Sequence, residues 1–158
     1  MDGFFLKFSS HNIRDLNEIR APFGSGKTSP IAAQDVALAL SVVLQHPESH
    51  IGNVIELTGP NSEDMDFYAA QFSEVLGRNI RYVDVPETTW RASMSSSGLS
   101  QHVLDHLSTM GQMHRDGHYD RMTDQFAHLT GKRPMSIRDF IRQHASEFGR
   151  GLEGAGRN

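Results

Sequence analysis

The chain has no cysteine among its 158 residues. It can therefore build no disulfide framework and offers no thiolate as nucleophile or soft metal ligand, which fits a reducing compartment and a cytoplasmic location. No apolar run approaches the roughly 20 residues needed to span a bilayer, and no charged segment followed by an apolar core marks a signal peptide. A soluble chain with no membrane contact is the expectation. Lysine is scarce: Lys7, Lys27 and Lys132 are the only three. The fifteen Lys and Arg are scattered, and the net charge is −4, so the concentrated basic face that a phosphate backbone requires is missing and no nucleic-acid partner is expected.

Nine histidines make that charge sensitive to mild acid. A chain of this length can bury about two-thirds of its unfolded surface around one core. A single domain is expected over 1–148, followed by a disordered tail over 149–158, where four glycines fall.

The clearest patterning runs from Pro30 to Pro86. Ser29 is placed to cap a helix that begins near Pro30, with Asp35 in its first turn and Val36, Leu40, Val43 and Leu44 on one face until Pro47 ends it. Asn53–Thr58 alternates well enough for a strand closed by Gly59-Pro60. Ser62 reads as the next cap, with Tyr68, Phe72, Val75 and Leu76 at helical spacing and Gly77 at the left-handed end. Asn79–Val85 reads as a second strand stopped by Pro86. Helices are expected over about 87–94, 99–113, 123–129 and 136–148, the last opened by a capping-box pair, Ser136 and Asp139. Before Pro30 the patterning weakens. Phe4, Phe5, Leu6 and Phe8 form an apolar cluster that periodicity cannot assign to strand or helix, and Asn12–Ala21 reads as an irregular or weakly helical connector. An apolar cluster and an open sheet edge both invite pairing with another chain, so a homo-oligomer is expected.

Three features bear on chemistry. The loop Ala21-Pro-Phe-Gly-Ser-Gly26-Lys27-Thr28 satisfies a relaxed phosphate-loop pattern, but Ala21 replaces the leading glycine, no apolar strand precedes it, and Pro30 follows too soon for a helix to start at Lys27. A surface turn is the simpler reading. The functional alternative is that Gly24, Gly26, Lys27 and Thr28 meet an anionic small-molecule ligand. His102 and His106, and again His114 and His118, have the i, i+4 spacing of metal ligands, but Val103 stands where a zincin carries its glutamate. A solvated helix face is favoured and no metal is expected. The single tryptophan, Trp90, with Met94, Met110 and Met113, belongs either to the core or to the wall of an apolar ligand pocket.

A dinucleotide-binding α/β protein opens with a strand, a glycine-rich turn and a helix, and this sequence shows no such unit. Even so, Pro30-Ile-Ala-Ala-Gln-Asp35-Val-Ala37, Glu56-Leu-Thr-Gly-Pro60, Leu76-Gly-Arg78 with Tyr82-Val-Asp-Val-Pro86, and Leu129-Thr-Gly-Lys-Arg-Pro134 resemble, in order, the C-terminal half of NmrA-like atypical short-chain dehydrogenases. The resemblance covers most of Phe4 to Phe148. It implies an α/β, partial Rossmann-like, helix-rich substrate-side lobe with a small two- to three-stranded sheet, lacking the N-terminal dinucleotide-binding βαβ units. It further implies an NAD(P)-linked oxidoreductase relative acting on a small organic substrate, with NADP or NAD as cofactor, incomplete without that N-terminal half. The alternative is a ligand-binding or regulatory module without turnover. The Tyr-x-x-x-Lys dyad of many short-chain dehydrogenases is absent: Tyr68, Tyr82 and Tyr119 are followed four residues later by Phe72, Pro86 and Thr123. Catalytic residues are therefore not assigned.

Overall fold

The computed structural model describes residues 1–95 and 97–149; the tail expected to be disordered lies outside the described residues except for Gly149. Its centre is a short parallel sheet of two strands. β1 (Glu18–Ala21) pairs with β2 (Arg81–Asp84) in the register Glu18 to Arg81 and Ala21 to Asp84. β1 occupies the stretch read from sequence as a connector. Four residues are too few to show a period; the ladder to Tyr82 and Asp84 makes Ile19 and Ala21 strand residues, and both are completely buried.

The ladder is reinforced by charge. Glu18 is buried and takes Arg20 at 2.6 Å and Arg81 at 2.5 Å on its two carboxylate oxygens. These charge-assisted bonds hold its pKa below the ordinary carboxylate value.

The helix α1 (Ser10–Leu16) follows a wider, π-helical stretch, Asp2–Ser9, which carries the N-terminal phenylalanines. Phe5 is fully buried, with its ring 5.1 Å from Phe72 and 5.9 Å from Tyr68. The apolar cluster thus finds a partner surface within its own chain. α1 ends at Asn17, the one non-glycine residue with positive φ among those described, and Arg78 secures that turn. Its guanidinium donates to the carbonyls of Ile13 and Arg14, to Asn17 Oδ1 at 2.6 Å, and to Phe148 O. A cation placed on carbonyls at two helix ends satisfies groups that the helices themselves leave unpaired.

Two α-helices, separated by a short 3₁₀ helix (Pro47–His50), follow β1 before the chain returns to β2. α2 (Ala33–Gln45) starts later than Ser29 suggests; its N-cap residue, Ala32, offers no side-chain bond, and the Asp2 carboxylate accepts the Ala33 N–H at 2.8 Å instead. Asp35 is buried in its first turn and accepts the Met135 N–H at 2.7 Å. The face of α2 also differs from the one read in the sequence: Ala39 is buried, while Leu40 and Leu44 are 55% and 76% exposed. α3 (Met65–Leu76) is capped by Asp64, whose carboxylate accepts the Phe67 N–H, and not by Ser62. Gly77 closes it in the left-handed conformation, as expected. α3 packs on both strands and buries Met65, Tyr68, Ala69 and Phe72.

The expected strand at Asn53–Thr58 is not a ladder member. Its conformation is held on one side by side chains: Glu56 donates its N–H to Gln125 Oε1, and the Thr123 hydroxyl donates to Glu56 O. Alternation in sequence selects extended backbone, but a strand also needs a neighbouring strand.

The remaining helices wrap the other side. They are α4 (Glu87–Ser95), α5 (Gln101–Arg115), α6 (Gln125–Thr130), α7 (Ile137–Gln143) and α8 (Ala145–Phe148). The expected helix over 136–148 is broken at His144. Ser136 nevertheless caps α7 as read, accepting the Asp139 N–H at 3.1 Å and bonding the Asp139 carboxylate at 2.7 Å. Phe140, Ile141 and Phe148 are completely buried against Phe5 and Phe72, completing the core. Among the described residues, no helix is long and apolar enough to cross a membrane.

Candidate functional site

The loop after β1 runs out to pack against the C-terminal end of α5. Arg115 holds it there, donating from Nε to Pro22 O at 2.9 Å and from Nη2 to Asp84 Oδ1 at 2.6 Å. Asp84 also accepts the Gly24 N–H at 3.1 Å. Burial works to raise the Asp84 carboxyl, but donation from Arg115 and from the Gly24 amide outweighs it, so its pKa is lowered. Gly24 has φ +57°, a conformation that suits glycine. Gly26 is required for a different reason, because a Cβ there would stand 1.9 Å from the backbone oxygen of His114.

Four of the loop amides, those of Phe23, Gly24, Gly26 and Thr28, are already engaged. Phe23 N–H donates to the Tyr82 hydroxyl, Gly26 N–H to Phe23 O, and Thr28 N–H to Glu63 O in an antiparallel bridge. Tyr82 and Tyr68, which bond this loop through their hydroxyls, both have raised pKa values, chiefly through burial.

Between this loop, the N-terminal π-helical stretch, α4 and α5 lies a cavity of about 220 Å³. Its wall is mainly apolar and aromatic, including Phe4, Phe8, Phe23, Trp90 and Met110, with Thr28 and His114 adding polar atoms. Sequence reasoning placed Thr28 and Trp90 among the ligand-binding candidates, and the structure brings both onto this wall. Gly24 and Gly26 lie behind it, where they let the loop approach α5. Lys27 is exposed and does not line the cavity.

Trp90 is 94% buried, so its core and cavity roles coincide. The α4 and α5 helices that contribute Trp90, Leu107, Met110 and His114 are joined by Arg91, which pairs with Asp105 and donates to Ser108; Ser108 in turn bonds Glu87 at 2.5 Å.

His114 is the wall residue that the sequence did not single out for this purpose. Paired on paper with His118, it is instead a solitary buried ring, 7% exposed, stacked on Phe23 at 4.0 Å and tilted against Tyr119 at 4.4 Å. His102, His106 and His118 are exposed. Among the described residues, no three His, Cys, Asp or Glu side chains converge as a metal site. The one available signal was the stretch Gly111–Arg115, in which a helical glycine packs against Pro22 and marks where the loop touches α5.

Burial lowers the His114 pKa from 6.5 to about 4. The sign of the consequence follows from the unfolded chain binding the proton more readily than the folded one. Between pH 6.5 and 4 stability must therefore fall as pH falls, and it is fully present above 6.5. Urea denaturation at stepped pH is expected to show that slope, and His114→Phe is expected to flatten it. An unchanged slope in the variant would place the titration elsewhere.

The sequence aligns with several reductases. It is 27% identical to an NAD(P)H azoreductase of Xenophilus azovorans, over 93% of this chain and 52% of that protein. It is likewise 27% identical to an uncharacterised oxidoreductase of Bacillus subtilis, over 92% and 51%. In fold it is similar to the Citrobacter sp. triphenylmethane reductase solved with NADP(H), at a TM-score of 0.76 and 20% identity over 89% of this chain and 49% of that one. The NADPH-dependent quinone oxidoreductase of Escherichia coli gives the same TM-score at 18% identity, over 90% and 50%. No family model matches the sequence. The chain spans about half the length of the curated relatives it matches. Over nearly its whole length the chain aligns with about half of several NAD(P)H-linked oxidoreductases, and its fold is that of about half of such an enzyme.

Proposed function

We propose that this chain forms the substrate-side half of an NAD(P)H-linked reductase and that its apolar cavity receives a small organic substrate. The observation that carries this reading is that its relatives include reductases and that it aligns with about half of each. The cavity supports it, being enclosed mostly by hydrocarbon with a few polar atoms on its wall, as ligand sites are. Thr28 and Trp90 would contact the ligand, and Gly24 and Gly26 would hold the loop that shapes the wall. Lys27, exposed beside them, would meet an anionic group at the entrance.

Dinucleotide would bind to the half-fold that carries a glycine-rich strand, turn and helix, a unit this sequence does not contain. Its pyrophosphate would rest on a helix N-terminus there. The chain's own share is to exclude water and hold the substrate.

A titration with NADPH and NADH, following nucleotide fluorescence and thermal stability together, tests the division of labour. The chain alone is expected to show no micromolar binding. Fused behind the N-terminal half of the Xenophilus azovorans azoreductase, it is expected to bind NADPH and oxidise it when an organic acceptor is added. A folded fusion that binds NADPH but reduces nothing would favour the second reading, a ligand-binding module without turnover. That reading draws on the cavity being lined by this chain's own residues while no Tyr-x-x-x-Lys dyad is present.

A further inference from the structure

Two polar side chains on the cavity wall make no hydrogen bond among the described residues. His114 Nδ1 is buried with no partner. The Thr28 hydroxyl makes no bond either, although the backbone of Thr28 is fully used in its bridge to Glu63 and in accepting from Tyr68. Buried polar atoms in native proteins are paired in about nine cases of ten, and leaving one unpaired is costly. An unpaired imidazole on an otherwise hydrocarbon wall is therefore a feature to be explained.

The stacking explains why the ring stays where it is. Phe23 lies parallel to it, at an interplanar angle of 11°, and Tyr119 covers it at a tilt. These contacts fix the plane of the imidazole while supplying no partner for its nitrogen. The lowered pKa keeps the ring neutral at physiological pH, so it presents one donor and one acceptor nitrogen, and the tautomer decides which is which.

Size narrows the guest. A dry apolar cavity of about 150 Å³ is enough for benzene, so about 220 Å³ holds one aromatic ring with a small substituent. The flat walls offered by Phe4, Phe23 and Trp90 suit such a ring. A hydroxyl on the ring can both donate and accept, so it satisfies His114 in either tautomer, and Thr28 as well.

We infer that the cavity is selective for a single-ring phenol and that His114 is its specificity-determining residue, pairing with the ligand's hydroxyl. This rests on the reading of the cavity as a ligand site and names the class of ligand it takes. Trp90, the sole tryptophan and itself part of the wall, reports entry of the ligand directly.

The test is a titration of the whole chain at pH 7 with 4-ethylphenol and with 4-ethyltoluene, which share shape and differ in the hydroxyl, monitored by Trp90 emission and thermal shift. The phenol is expected to bind about fivefold more tightly, the factor that corresponds to one net hydrogen bond. In His114→Phe the preference is expected to collapse to less than about twofold while 4-ethyltoluene still binds. Equal affinity of the two ligands for the unaltered chain would overturn the inference whether or not the variant folds. So would an emission spectrum indifferent to both ligands. Neither arm contains a nicotinamide, so failure here is distinguishable from failure of the reductase reading, which the NADPH titration decides.

Discussion

Phe72→Ala should lower the free energy of unfolding by about 3–5 kcal/mol, the usual cost of truncating a fully enclosed aromatic ring. Phe72 is completely buried in α3 and packs at 5.1 Å on Phe5 and at 4.9 Å, edge on, against Phe148. It therefore joins three segments that are distant in sequence: the N-terminal π-helical stretch, the helix on the sheet, and the last described helix. None of these can collapse to fill the void without giving up its other contacts, so most of the cavity cost should persist. Domains of this size have total stabilities of about 5–15 kcal/mol, which makes this single change a large fraction of the whole. Urea denaturation followed by far-ultraviolet circular dichroism measures it. A loss under about 1 kcal/mol would mean that Phe72 is not the central packing residue described here.

Gly26→Ala is expected to cost about 3 kcal/mol and, unlike the core change, to alter the ligand site as well. The new Cβ would fall 1.9 Å from His114 O and 2.6 Å from His114 C, both backbone atoms of α5 that cannot rotate away. Overpacking usually costs about 1–3 kcal/mol, and more when the obstructing atoms cannot yield. Relief requires the loop to lift from α5, which would strain the Arg115 contacts to Pro22 and Asp84 and separate Phe23 from the His114 ring. Ser25→Ala, at the exposed neighbouring position, should stay within about 0.5 kcal/mol. Thermal unfolding of the two variants, with Trp90 emission recorded in the native baseline, separates the effects. A Gly26→Ala protein as stable as the parent would show that the loop does not rest on α5 as closely as this geometry requires.

Several elements were legible in the sequence because their signals are local. The left-handed Gly77 at the end of α3 and the Ser136 cap of α7 each depend on residues within one turn of each other. β2 was legible because Pro86 and the β-branched run bound it on their own. The misreadings have an equally physical origin. The Asn53–Thr58 pattern describes a backbone ready for a ladder, yet the described chain supplies side chains of the Thr123 and Gln125 segment as partners. Leu40 and Leu44 obey helical periodicity, but which face of α2 is buried depends on Met135 and the segment around it, about a hundred residues away.

The ligand site divides along the same line. Trp90, Thr28 and the two loop glycines stood out by rarity or motif, whereas His114 looked like one half of an i, i+4 pair. Only the approach of the loop to α5 sets His114 between Phe23 and Tyr119. The sequence by itself determined the helix-rich α/β class, the absence of thiol chemistry and the resemblance to one half of a reductase, since composition, caps and turn residues are properties of neighbouring positions. Tertiary structure alone decided that the π-helical stretch, the Gly24–Thr28 loop, α4 and α5 enclose one cavity. Burial and closure between segments up to about a hundred residues apart come from packing, and no local pattern encodes them.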